Sequence, residues 1–173
     1  ALPFAPGSFD LACSFGVLHH LPDPEAGFRR LVELARPGGR VLVYLYHALE
    51  DAPVKRALLR AVNGARQITT RMPHRALLPL TTMLGYAMYG GVVVPYKVLS
   101  RFGPTRKFAE AMPLKFYADY PVHAIVNDQF DRFSAPIENR YTRREVQQWL
   151  DRAGLETVAV LGGSGWRAAG RRA

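Results

Sequence analysis

Two adjacent imidazoles, His19 and His20, stand out in the stretch Gly16-Val17-Leu18-His19-His20-Leu21-Pro22-Asp23-Pro24. Histidine changes charge near neutrality, so such a pair can act as acid and base, ligate a metal, or form a structural corner. Neighbouring histidines converge poorly on one tetrahedral ion, and no ligand-spaced Cys or His lies near them, with only Asp23 in reach. No metal is expected. In the structural alternative, one ring packs beneath the next helix while the other caps local backbone groups. For chemistry, His20 is the favoured catalytic residue and His19 its companion.

The elements around the pair must position it. Phe9–Phe15 (FDLACSF) is a short apolar run of the kind a strand buried on both faces shows. Asp23-Pro24 is a helix start, with Asp as N-cap and proline where its missing N–H costs nothing. Phe28, Leu31, Val32 and Ala35 then form one apolar face, and Pro37-Gly38-Gly39 turns the chain into a second strand, Arg40–Tyr46. Strand, helix and strand joined by short turns predict a βαβ unit with parallel strands.

The middle of the chain differs in kind. Val54, Leu58, Ala61, Val62, Ala65, Ile68 and Met72 predict an apolar helical stripe over Pro53–Met72. Lys55, Arg56, Arg60, Arg66 and Arg71 fall opposite, making a basic amphipathic helix stopped at Pro73. Ala76–Tyr96 carries no charged residue, but Pro79, Gly85, Gly90, Gly91 and Pro95 interrupt it. A buried helical hairpin, or a cap over an apolar pocket, is expected there in preference to a membrane span. The last part returns to α/β rhythm. Thr142 and Glu145 have capping-box spacing, Leu155–Leu161 reads as a strand, and Gly162–Gly165 turns it into an antiparallel partner beginning at Trp166.

The totals bound the function. A chain of 173 residues with 49% hydrophobic and 21% charged residues is globular. Its single cysteine, Cys13, excludes an internal disulfide framework and fits a reducing, cytoplasmic setting. The formal charge of +9 is uneven: residues 1–47 balance, 48–126 carry +7 and 127–173 carry +2. Nucleic acid is not an expected partner, because the arginines are interleaved with a long uncharged tract and no recognised binding module appears.

These motifs, in this order, carry a resemblance. Phe9-Asp10-Leu11-Ala12-Cys13-Ser14 with Val17-Leu18-His19-His20-Leu21 and Asp23 resembles the fourth-strand motif of class I S-adenosylmethionine-dependent methyltransferases. Arg36-Pro37-Gly38-Gly39-Arg40-Val41-Leu42 resembles the turn into their fifth strand. Tyr141–Val146, Trp149-Leu150 and Ala153-Gly154-Leu155 resemble the helix and sixth strand that close the domain. The resemblance implies an α/β fold: the C-terminal half of a Rossmann-like methyltransferase sheet, strands four to seven with the last antiparallel, carrying a helical insertion. The core would comprise residues 1–47 and 127–173, and the insertion 48–126. The family's glycine-rich loop and the acidic residue after its second strand have no counterpart, so a C-terminal portion is expected, binding the cofactor poorly alone. Its partner would be the missing N-terminal half of the same fold.

The resemblance also implies roles. The cofactor would be S-adenosyl-L-methionine, passed by Ser14, Phe15 and Gly16 mostly through backbone atoms, with His19 and His20 at the rim of methyl transfer. Tyr86, Tyr89 and Tyr96 would wall a pocket for a small or lipid-like acceptor, with Asp131 and Tyr141 at its mouth. Ordinary core packing is the competing role for each tyrosine, and a surface ion pair with Arg132 or Arg140 the competing role for Asp131. An alternative without catalysis is a peripheral membrane-binding module built on the basic helix and its apolar neighbour.

Overall fold

A computed structural model of the chain describes residues 3–50 and 52–173; the side chain of Val54, in the expected apolar stripe, lies outside the described residues. The chain divides into two compact units, one of residues 1–61 and 137–173 and the other of residues 62–136.

The first unit is a mixed α/β layer. Strand β1 (Phe9–Phe15) pairs in parallel with β2 (Ala35–Tyr46), and helix α1 (Pro24–Leu34) lies between them in sequence. Asp23 caps α1 by accepting from the Ala26 N–H at 2.9 Å, with Pro24 at the first helical position. Helix α7 (Arg143–Arg152) follows a complete capping box: the Thr142 hydroxyl accepts from Glu145 N–H at 3.1 Å, and the Glu145 carboxylate accepts from Thr142 N–H at 2.7 Å. Strands β3 (Leu155–Leu161) and β4 (Gly165–Arg172) form the antiparallel hairpin. Sheet order is β1-β2-β4-β3, so β4 inserts between β2 and β3 and alone runs against the others.

Alternation sorts the sheet into two faces. Ala12, Val41, Val43, Leu45, Trp166 and Ala168 are buried in one cluster with Phe28 and Val32 of α1 and Val146, Trp149 and Leu150 of α7. Phe28 and Trp149 meet with ring centroids 5.7 Å apart. The opposite face is open. Leu11, Cys13 and Phe15 are exposed, so β1 is covered on one face and not on both as its apolar composition predicts. Composition alone does not reveal which face a neighbour covers. Among the described residues, β1 is an edge strand paired with β2 alone.

In the second unit, α3 (His74–Met88) packs on α6 (Val122–Ser134), and Gly85 permits the crossing: a Cβ there would meet the Val126 side chain at 2.6 Å and its backbone at 2.9 Å. Beyond α3 the chain continues through one π turn (Tyr89–Val93) into α4 (Val94–Leu99), then α5 (Gly103–Ala111). The expected hairpin over Ala76–Tyr96 is therefore replaced by one helical run, His74–Leu99. Gly90 and Gly91 supply the π turn and do not break the helix. The unit's core gathers Val93, Tyr117 and Ile125.

Helix α2 (Pro53–Thr69) also departs from its sequence pattern. Leu58 and Ile68, on the expected apolar stripe, are 65% and 68% exposed, while Arg66, on the expected basic side, is 6% exposed. The reason is the end of α6, whose last carbonyls need donors. Arg66 donates to Ala135 O at 2.7 Å and the Thr69 hydroxyl to Phe133 O at 2.8 Å. Satisfying those carbonyls outweighs burying Ile68. In urea denaturation, Thr69→Val is therefore expected to cost about 1–2 kcal/mol, whereas Ile68→Ala shifts stability by less than about 0.5 kcal/mol. The opposite order would restore the stripe read from sequence.

Candidate functional site

In parallel sheets, ligands lie beyond the carboxyl ends of the strands. Here those ends belong to β1 and β2. β1 finishes at Ser14-Phe15, and Gly16 turns the chain at φ +73°, donating its N–H to Tyr44 O at 3.3 Å. A Cβ at Gly16 would meet nothing within 4 Å, so the positive φ, not crowding, makes glycine the residue suited here. Leu18–His20 then forms a single 3₁₀ turn.

The two histidines take different environments. His19 is fully buried, its ring stacked on Tyr46 at 3.8 Å between centroids and 4.4 Å from the His20 ring. Neither of its ring nitrogens has a hydrogen-bond partner. Burial lowers its pKa from 6.5 to about 4, helped by the neighbouring His20 and by Arg140 and opposed by Glu138. His20 is partly exposed, and its Nδ1 lies 2.6 Å from the Ile137 carbonyl. A carbonyl only accepts, so Nδ1 carries a proton, and in the neutral ring the lone pair is on Nε2.

Residues 137–141 frame the pair. Asn139 donates its N–H to His19 O at 2.8 Å, and Tyr141 N–H donates to Tyr46 O at 2.9 Å. Glu138 and Arg140 form an ion pair at 2.7 Å, mostly withdrawn from water, and the Arg140 guanidinium lies 5.0 Å from the centre of the Tyr46 ring. His47 stacks on Trp166 at 4.5 Å, and its Nδ1 accepts from Leu49 N–H at 2.7 Å.

The structure brings together Ser14, Phe15, Gly16, His19 and His20 at the ends of β1 and β2. Tyr141 adjoins them through its backbone. Its ring turns instead toward Trp149, 4.7 Å away, and its pKa is pushed up to about 12, first by burial and then by Glu145, Asp23 and Glu25. The remaining candidates belong to the other unit. Tyr86 faces outward, Tyr89 packs against that unit's core, and Tyr96 is half-buried in α4. Asp131 is exposed, while the arginines considered as its partners pair elsewhere, Arg132 with Asp128 at 3.0 Å and Arg140 with Glu138. Among the described residues no group of three His, Cys, Asp or Glu side chains is arranged to hold a metal ion. Sequence reasoning overlooked Tyr46 and His47, which the strand-end rule finds at the end of β2. It also overlooked Glu138, and considered Arg140 only as a surface partner of Asp131.

The methyltransferase domain family matches residues 1–43, the segment that runs from the chain start through β1, the histidine turn and α1 into β2. Over this segment the chain is similar to the methyltransferase domain family, in line with the resemblance read from the sequence. The mixed α/β unit with its four-stranded sheet fits that assignment. Among curated proteins, the chain is 37% identical over 68 residues to a ubiquinone biosynthesis O-methyltransferase of Ralstonia nicotianae, covering 39% of this chain and 26% of that relative. A protein of the same description from Xanthomonas euvesicatoria is 38% identical over 68 residues, with the same two shares, 39% and 26%. One from Pseudoalteromonas translucida is 26% identical over 107 residues, 59% of this chain and 43% of the relative. The matched regions thus span less than half the length of these relatives.

The buried His19 makes a prediction. The unfolded chain takes up the proton as pH falls past 6.5, whereas the folded chain resists until about 4. Stability is therefore full above pH 6.5 and declines on acidification toward 4. From pH 7 to pH 5 this residue alone removes about 2 kcal/mol. Urea denaturation at the two pH values is expected to show that loss shrinking in His19→Phe. An unchanged loss would place the acid sensitivity elsewhere.

Proposed function

We propose that this sequence serves S-adenosylmethionine-dependent methyl transfer to a hydroxyl of a small or lipid-like acceptor, with His20 as general base. The single observation that carries this reading is the hydrogen bond from His20 Nδ1 to Ile137 O, which in the neutral ring leaves the lone pair on Nε2. The names of the relatives, O-methyltransferases of ubiquinone biosynthesis, favour an oxygen acceptor. In this reading β1, β2, β3 and β4 correspond to the fourth, fifth, sixth and seventh strands of the family's sheet, supported by the order β1-β2-β4-β3 and the reversal of β4 alone. Among the described residues one edge of β1 is unpaired, and with the exposed Leu11 and Phe15 this supports a further strand and covering helices, the N-terminal half of the fold, as its partner.

The residues present fit one wall of a cofactor site. Gly16 leaves open space where a side chain would stand, and Ser14, Phe15 and Gly16 border it. When bound there, S-adenosylmethionine supplies an electrophilic methyl group. The chain's own task is orientation and proton removal: His20 Nε2 accepts the proton of the acceptor hydroxyl as its oxygen becomes the nucleophile. The Ile137 carbonyl fixes the tautomer and ring plane, and it stabilises the imidazolium that results. His19, buried and unprotonated at neutral pH, serves as the packing surface under that ring.

The test is a methyl-transfer assay in the shortest polypeptide carrying these residues that turns over. His20→Ala is expected to lower kcat about a hundredfold with little change in the KM for the acceptor. His19→Phe is expected to retain most of kcat. Unchanged turnover in His20→Ala would remove that imidazole from the reaction.

A further inference from the structure

In the helical run His74–Leu99, the side chains facing inward are not the most apolar ones. The buried stripe is Leu77, Thr81, Gly85 and Val93, two of them small or hydroxylated. Leu80, Met83 and Ala87, at i, i+3 and i+7, face outward with Tyr86 beside them, and Val94 and Val98 are exposed beyond the π turn. Met83 is 66% exposed. A helix at a water-facing surface normally shows the reverse arrangement. The run is 26 residues long and apolar enough, by length and composition, to cross a membrane.

Charge brackets this apolar face. Between Arg75 and Lys97 there is no charged residue, while Arg71 and Arg75 stand at one end and Lys97 and Arg101 at the other, all exposed. No salt bridge to a carboxylate engages any of the four among the described residues. Two of the unit's acidic residues, Glu110 and Asp128, are neutralised by Lys115 and Arg132. An apolar strip closed at both ends by cations matches the boundary layer of a bilayer with anionic headgroups, where apolar side chains enter the acyl region and lysine and arginine stay among the phosphates. Because the Leu77–Thr81–Gly85 stripe is already packed on α6, the helix has only its outer face to offer to lipid. That geometry suits lying in the interface more than spanning it.

We propose that the outer face of His74–Leu99 docks on anionic lipid membranes as an interfacial helix, with Leu80 and Met83 entering the bilayer and Arg75, Lys97 and Arg101 holding the headgroups. Of the two segments the sequence suggested for membrane contact, the surface uses the apolar neighbour and not the basic side of α2, and it does not depend on the reaction proposed above.

The experiment is flotation of the intact chain with vesicles of phosphatidylcholine alone or of phosphatidylcholine with phosphatidylglycerol. Binding is expected to the anionic vesicles and to weaken as salt is raised. Leu80→Glu combined with Met83→Glu is expected to abolish it without changing the far-ultraviolet circular dichroism. Lys97→Glu with Arg101→Glu is expected to lower partitioning at least about tenfold while sparing the apolar face. Absence of flotation with anionic vesicles would overturn the proposal, as would flotation unaltered by both variants. Self-association in light scattering that Met83→Glu abolishes, without lipid binding, would assign the face to a second copy and equally overturn it. Resistance of the bound chain to alkaline extraction would contradict interfacial docking in favour of a spanning helix.

Discussion

The site rests on a short set of hydrogen bonds tying residues 137–141 to the ends of β1 and β2. Ile137 O receives His20 Nδ1, Asn139 N–H reaches His19 O, and Tyr141 N–H reaches Tyr46 O. Tyr141 O then accepts from both Ala48 N–H and Trp166 Nε1. These contacts join positions more than 90 residues apart in the chain, apart from the shorter reach to Trp166. They make the histidine turn part of the sheet's frame and not a free loop. Each bond is individually modest, but a buried backbone group left without a partner costs more than a made bond contributes, so the set is retained as a unit. The environments of the two imidazoles follow from it: one is sealed against Tyr46, and the other is held by a single nitrogen.

A second physical theme is the ends of helices. Arg172, at the end of β4, donates to Ala35 O at 2.6 Å and to Glu33 O at 3.1 Å, meeting carbonyls that α1 leaves free. Arg66 and Thr69 do the same for α6. Cations near helix carboxyl ends are favoured by both hydrogen bonding and the helix dipole. Part of the chain's basic excess is therefore internal structure, which reduces the charge available for partners. The cations left exposed around His74–Leu99 matter more for that reason.

Much of the first unit was legible in the sequence. Asp23-Pro24, the Thr142–Glu145 capping box and the glycine turn at 162–165 are local signals, and each acts where its spacing predicts. Strand order is less local, yet the reversed last strand followed from the shortness of its turn. The second unit was read less well. The burial of Arg66 in α2 comes from long-range acceptors at the end of α6, Ala135 O for Arg66 itself and Phe133 O for the nearby Thr69, invisible to a periodicity argument. Gly90-Gly91 reads as a break because glycine is a poor helix former, but flanking apolar turns packed on α6 and the unit's core carry the helix through. At the site, the structural alternative foresaw one packed ring and one bonded to backbone, but which histidine takes which place was not legible, since it is dictated by the distant Ile137 and Tyr46. Tyr141 was expected at the mouth of an acceptor pocket; its backbone is bonded to the end of β2, and its ring turns toward Trp149.

The central claim is that one imidazole is sealed and neutral while the other, in its neutral form, keeps its lone pair on Nε2. Long-range nitrogen–proton correlation spectroscopy of the histidine rings at pH 6 addresses it directly, because it distinguishes the two neutral tautomers and the cation. The account predicts His19 uncharged at that pH and His20, in its neutral form, protonated at Nδ1. A protonated His19, or a His20 whose neutral form carries its hydrogen on Nε2, would contradict it.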